Sequence, residues 1–284
     1  MSKAILIKNV AEVLGDKFPL VNMVKSGSYI AIAQVNAPHN VWFYSITDLR
    51  KIVSVYKHSG NFHSLAINKR HGCAYISDYT NQISIIDIPT GKRKSFISLV
   101  PHGQARGLYF SNIRQKLVVT AFMAILIVDV KKNEIEHVIS ANKLRTNLLY
   151  GFDKIIGATS DFSYVIFKSG ELEDAPCKNY ENTRFFHYLE CYNVESRKVV
   201  RVEVDMNPHA MSVCSPATDS VFFMDSRGSM KLLRLDTLFD RTVKLASLNS
   251  MDHLKDCLYL KHPRATSPKY ILHSYNKIQL MLIN

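Results

Sequence analysis

The sequence predicts an all-β fold: a single β-propeller over 1–284, with six blades and a ring closed by the N-terminal strand. Three observations carry that expectation. Between 61 and 140, one pattern of four short apolar runs occurs twice in tandem. Further sets of such runs, separated by turn formers, lie on both sides of it. The last set has three runs, and an isolated run, AILI at 4–7, stands at the other end of the chain, where it could supply the fourth. Four strands in about 40 residues, repeated, is the signature of blades arrayed around an axis. An unclosed ring would leave a blade with an unpaired edge, which is the reason for assigning 4–7 to the last blade.

The blades follow in order. The first reads LVNMV (20–24), YIAIAQ (29–34), VWFYSI (41–46) and KIVSVY (51–56), with Ser26-Gly27-Ser28 as its first turn. Glycine there tolerates the left-handed backbone that tight turns require. Trp42, the sole tryptophan, sits mid-strand and reads as core. The second blade reads HSLAIN (63–68), CAYIS (73–77), QISIID (82–87) and KSFIS (94–98), with a turn at Thr90-Gly91. The third reads RGLYFS (106–111), KLVVTA (116–121), AILIVD (124–129) and IEHVIS (135–140), with a turn at Lys131-Lys132-Asn133. Near-continuous apolar centres fit strands covered on both faces by neighbouring blades.

The fourth blade is irregular. NLLYGF (147–152) and KIIGATS (154–160) read as its first two strands, and FSYVIF (162–167) follows at once. The segment 161–184 is expected to be a loop insertion, a protruding hairpin with a mobile acidic tip carrying Glu171, Glu173 and Asp174. Long aperiodic loops are functional or solvated. The blade resumes with FFHYLECYNV (185–194) and VVRVEV (199–204). Seven blades would result if 161–205 folded as a blade of its own. The fifth reads HAMSVC (209–214), SVFFMD (220–225), MKLLRLD (230–236) and RTVKLAS (241–247). The sixth reads LKDCLYL (254–260), KYILHS (269–274) and KIQLMLI (277–283).

Composition narrows the function. A hydrophobic fraction of 47% and a mean hydropathy of -0.04 suit a soluble protein with a core. The apolar run after Met1-Ser2-Lys3 is too short for a signal peptide, and no run is long enough to span a membrane. Cys73, Cys177, Cys191, Cys214 and Cys257 are odd in number and form no CxxC pair, which points to reduced thiols in the cytoplasm. The net charge is +12, from 36 Lys and Arg against 24 Asp and Glu. A basic surface attracts phosphate or acidic protein, though the charge is spread along the chain and also serves solubility.

Residues 72–91 (GCAYISDYTNQISIIDIPTG) resemble the YVTN and WD40-like propeller repeats: a strand, an Asp turn, a strand ending in Asp, and a turn with Gly. The chain lacks the Gly-His and Trp-Asp pairs of true WD40 repeats, so their local network is not implied. Residues 116–139 are also similar to a blade of the PROPPIN family, phosphoinositide-binding propellers that use a Phe-Arg-Arg-Gly motif. The nearest stretch here is Phe239-Asp240-Arg241-Thr242, and no lipid-binding residue is implied.

The residue opening each first strand is His63 in blade two, Arg106 in blade three, Arg145 or Thr146 in blade four and His209 in blade five. In a propeller, first strands line the central channel. His63, Arg106, Arg145 and His209 are therefore expected to form a positive mouth that binds an anion or a partner's acidic side chain; the alternative is that each bonds a loop carbonyl. No ligand spacing supports a metal, and no cofactor is expected. Walker, GxGxxG and GxSxG motifs are absent. Asp87, Asp129 and Asp236 recur at strand ends, where they are expected to hold turns rather than catalyse.

These readings predict a non-catalytic binding platform in a protein or ribonucleoprotein assembly. It would be a monomer within its complex, its partner would have an acidic surface, and direct nucleic-acid contact is open. The alternatives are a phosphoinositide- or membrane-surface-binding propeller and a propeller hydrolase or lactonase.

Overall fold

The computed structural model describes residues 4–5, 21–34, 39–45, 51–60, 62–121, 124–140, 155–159, 163–172, 185–203, 212–215, 220–224, 230–234, 242–244, 254–260, 269–274 and 277–282. The described residues are strands and their connections, with no helix among them. The strands form six separate four-stranded sheets, antiparallel at every pairing described.

After Ala4–Ile5 (β1), the first sheet comprises Val21–Ser26 (β2), Tyr29–Gln34 (β3), Asn40–Ser45 (β4) and Ile52–Lys57 (β5). The second comprises Phe62–Asn68 (β6), Cys73–Asp78 (β7), Gln82–Asp87 (β8) and Lys92–Ser98 (β9). The third comprises Ala105–Ser111 (β10), Lys116–Ala121 (β11), Ala124–Asp129 (β12) and Glu134–Ser140 (β13). The fourth comprises Ile155–Ala158 (β14), Tyr164–Leu172 (β15), Phe185–Asn193 (β16) and Val199–Glu203 (β17). The fifth comprises Ser212–Ser215 (β18), Ser220–Met224 (β19), Met230–Arg234 (β20) and Thr242–Lys244 (β21). The sixth comprises Leu254–Leu260 (β22), Lys269–Ser274 (β23) and Lys277–Leu282 (β24), and β1 completes it by pairing with β24 (Ala4 with Met281, Ile5 with Leu280). Sheet order follows sequence order in the first five sheets. First strands lie beside one another: β2 by β6, β6 by β10, β10 by β14, β14 by β18, β18 by β22, and β22 by β2.

The apolar runs are explained by burial on two faces. In β7, Ala74 and Ile76 pack into the cluster shared with the first sheet (Ala31, Phe43), whereas Cys73 and Tyr75 pack towards the third (Phe110, Leu117). In β12, Leu126 and Val128 face the second sheet's cluster and Ile125 faces Ala158 and Phe167 of the fourth. Alternate side chains thus enter different cores, so every centre position is apolar. Each such isoleucine or phenylalanine contributes about 1.5–3 kcal/mol of burial. Trp42 is buried in mid-strand, as the sequence predicts. Outer strands have a solvent side, and β13 alternates accordingly.

The fourth sheet departs from the sequence reading. KIIGATS supplies the first strand, β14, rather than the second; 147–152 lies outside the described residues. FSYVIF opens the second strand; Tyr164–Leu172 of the expected hairpin insertion is β15, paired with β16 from Tyr164↔Asn193 to Leu172↔Phe185, and 173–184 lies outside the described residues. Pairing to β14 ends at Phe167, and pairing to β17 begins at Tyr188. Because β14 completes this sheet, 161–205 does not form a four-stranded sheet by itself.

Five described turns share one design. The strand-ending residue caps the turn: Asn68 Oδ1 accepts from the Arg70 and His71 amides, and Ser111 Oγ from that of Arg114. Asp87 accepts from Thr90, Asp129 from the Lys131 and Lys132 amides, and Asn193 from those of Glu195 and Ser196. Four residues on, the backbone is left-handed: Gly72, Gln115, Gly91, Asn133 and Arg197 have φ of 56°, 54°, 66°, 56° and 59°. Asp87 and Asp129 therefore hold turns, as expected; Asp236 lies outside the described residues. Gly91 is required for a second reason, because a Cβ there would stand 2.7 Å from the Val55 carbonyl of the first sheet.

Candidate functional site

The beginnings of the first strands share an irregularity. Pairing skips one residue in β6 between Phe62 and Ser64, in β10 between Ala105 and Gly107, in β14 between Ile155 and Gly157, and in β22 between Leu254 and Asp256. The extra residues are His63, Arg106, Ile156 and Lys255. A bulge leaves its residue out of the ladder and re-aims it, which is why bulges recur beside functional sites. His63 and Arg106 thus occupy matched positions in neighbouring sheets.

The surroundings of His63 are apolar on one side and charged on the other. Its ring lies 4.1 Å from that of Tyr79, centroid to centroid, at 48°. Tyr79 is in the β7–β8 turn and is 52% exposed. That turn is held by Asp78 Oδ1, which accepts from the Thr80 amide at 2.7 Å and from the Thr80 hydroxyl. Burial, and then the charge of Arg106, hold His63 below the ordinary imidazole value against an upward pull from Asp78. His63 is therefore neutral at neutral pH and offers an aromatic face and one hydrogen-bond donor. Arg106 is exposed and brings the cation. Below them Ser64 ties the two first strands, its Oγ accepting from the Leu108 amide at 3.0 Å.

Beside this site lies a buried pair. His58 follows β5, is 7% exposed, and places Nε2 3.3 Å from Asp78 Oδ2 without hydrogen-bond alignment, so the contact is electrostatic. Burial depresses its pKa, with Asp78 opposing and the charges of His39 and Arg93 adding to the depression.

Of the four residues expected at a positive mouth, His63 and Arg106 are described; the charge of Arg106 acts on His63 and helps to keep it neutral. The fourth sheet's matched position is Ile156 and not Arg145, because its first strand lies later in the chain than the apolar pattern suggests. Arg145 and His209 lie outside the described residues, as do Glu173 and Asp174. Glu171 stands in β15 opposite Phe186, in the ladder. Sequence reading missed Tyr79, which was legible as an aromatic in a turn. Among the described residues no three of His, Cys, Asp and Glu cluster as a metal site requires. Cys73 and Cys191 are buried and unbridged. The sequence matches no family model and none of the curated proteins with which it was compared.

Proposed function

We propose that the chain is a six-bladed β-propeller closed by its N-terminal strand, acting without catalysis as a cytoplasmic binding platform in a protein or ribonucleoprotein assembly. Two facts support the ring: each first strand neighbours the next, β22 returning to β2, and β1 supplies the outer strand of the last sheet. The observation that carries the function is the pair of matched bulges, which sets Arg106 next to the His63–Tyr79 ring pair. An exposed arginine beside a half-exposed tyrosine is the composition of an interface anchor. The guanidinium would take a partner's carboxylate in bidentate fashion, and Tyr79 would cover the apolar part of that side chain. Affinity purification from the native source at low and high salt tests this. Arg106→Glu and Tyr79→Ala are each expected to lose a salt-sensitive partner that the unaltered protein retains. Retention of that partner by both variants overturns the assignment.

A further inference from the structure

We infer that the end of the molecule built from the capped turns binds the phosphate backbone of a nucleic acid. This surface lies at the opposite end of the sheets from Arg106 and rests on separate residues.

Antiparallel order puts the first-to-second and third-to-fourth turns at one end of each sheet. Hydrogen bonds show that these ends coincide in the first three sheets. Asn112 Oδ1, in the β10–β11 turn, accepts from the Lys69 amide of the β6–β7 turn at 3.1 Å. Its Nδ2 donates to Ser26 Oγ, at the β2–β3 turn, at 2.9 Å. The fourth sheet repeats the order, and its Val165 and Phe167 pack on Ile125 and Ile139 of the third.

These turns carry the basic charge. Lys69 and Arg70 lie between β6 and β7, Arg114 between β10 and β11, Lys131 and Lys132 between β12 and β13, and Arg197 and Lys198 between β16 and β17. All are exposed, and none is within salt-bridge distance of a described carboxylate. Two carboxylates that cap turns at this end are engaged: Asp87 by Lys94 at 2.6 Å, and Asp129 by Lys116 at 3.1 Å. Glu195 is the one acid among the described residues of these turns. At the other end, the described turn residues at 58–60, 78–81 and 99–104 include no lysine or arginine. Among the described turn residues, lysine and arginine thus lie at this end, while exposed Lys57 and Arg106 stand on strands at the other.

Nucleic acid suits this surface better than a lipid bilayer. The cations sit on the tips of successive turns across three sheets, interspersed with polar His71, Asn133 and Ser196. Phosphates spaced along a strand can meet such an array one by one. A bilayer-docking face needs several apolar side chains to insert, and Ile113, 69% exposed, is the one large apolar residue strongly exposed in the described turns at this end. No exposed Phe, Tyr or Trp stands in the described turns of this end, so recognition would be through the backbone and not through bases.

Fluorescence anisotropy of the full chain with a labelled single-stranded RNA of about 20 nucleotides, across a salt series, tests the inference. Binding is expected to weaken steeply with salt. Exchanging Lys69, Arg70, Lys131 and Lys132 together for Gln should raise Kd at least about tenfold and flatten the log–log salt slope by roughly 2–3, since each phosphate contact on single strands contributes about 0.7. Arg106→Gln should leave this binding unchanged while abolishing the partner contact proposed above, which keeps the two proposals separable. An unchanged circular dichroism melt shows that the four-site variant folds; should it not fold, Arg197→Gln with Lys198→Gln replaces it, with a slope change of roughly half that size. No RNA binding, an unaltered salt slope in the folded variant, or binding to phosphatidylserine vesicles without binding to RNA overturns the inference.

Discussion

Two interfaces between sheets use one backbone plan and opposite chemistry. Where the first sheet meets the second, the residue after the outer strand is His58, and its amide bonds to the His39 carbonyl at 3.1 Å. Where the second meets the third, the equivalent residue is Leu99, bonded to the Asn81 carbonyl at 2.8 Å. His58 faces Asp78; Leu99 joins an apolar cluster with Ala105 and Ala121, and register makes Ala121 the counterpart of Asp78. The second interface holds by apolar burial at this point, independent of pH. The first holds a desolvated imidazole whose neutral form the fold requires. A repeated backbone therefore does not repeat its energetics.

The largest expected effect is at the apolar interface. Leu99 is fully buried, so Leu99→Ala should cost about 2–5 kcal/mol in urea unfolding, with little change between acidic and neutral pH. A loss under about 1 kcal/mol would mean that this contact does not hold the two sheets together.

Next come the turns at the far end of the same interfaces. Gly91→Ala combines a left-handed backbone with a clash on the Val55 carbonyl, and should cost about 2 kcal/mol or more. Asn133→Ala, at the matched turn of the third sheet, introduces the strain without that clash and should cost about 1 kcal/mol. Equal losses would show that the first interface is no tighter there than the second.

The polar interface is sharpened by converting it into the apolar one. His58→Leu with Asp78→Ala should lie within about 1.5 kcal/mol of the unaltered protein at neutral pH. The pH profile should differ. Because the His58 pKa is lower folded than unfolded, the unfolded chain binds the proton first. Its contribution is present above the ordinary imidazole value and is lost as pH falls through that value towards the lowered one. Urea midpoints of the unaltered protein should therefore drop between about pH 7.5 and about pH 5.5, and the double variant should lose that part of the drop. An identical drop in both would remove His58 as its source.

The smallest effects concern two charge arrangements on one bulge. In β9 the extra residue is Lys94, paired with Asp87; in β13 it is Glu136, and the cation comes from Lys116, which reaches Asp129 and Glu136. Lys94 and Lys116 hold Asp87 and Asp129 below the ordinary carboxylate value. The pairs therefore contribute above that value and fade as pH falls through the lowered one. Lys94→Met and Lys116→Met should each give a slight loss that vanishes at high salt, larger for Lys116 because it serves two carboxylates. A salt-independent loss would mean that packing of the lysine stems matters more than charge.

Much of the strand layout was legible in the sequence. Apolar centres with turn formers between them mark the strands of the second and third sheets almost to the residue, since burial on two faces writes itself into every position of β7 and β12. The strand Tyr164–Leu172 was hidden beyond Phe167, because Lys168, Ser169, Gly170 and Glu171 break the apolar run that marks a strand. At the candidate site, His63 and Arg106 were visible as strand-opening residues.

What the sequence determined by itself is the set of strands, their capped turns and the excess of positive charge, because these depend on neighbours along the chain. Tertiary structure alone decided three things: that burial and Arg106 press the His63 pKa below its ordinary value, that His58 and Asp78 meet, and that the described turn cations gather at one end. Each depends on desolvation or proximity between residues of different strands and sheets, which no local pattern records.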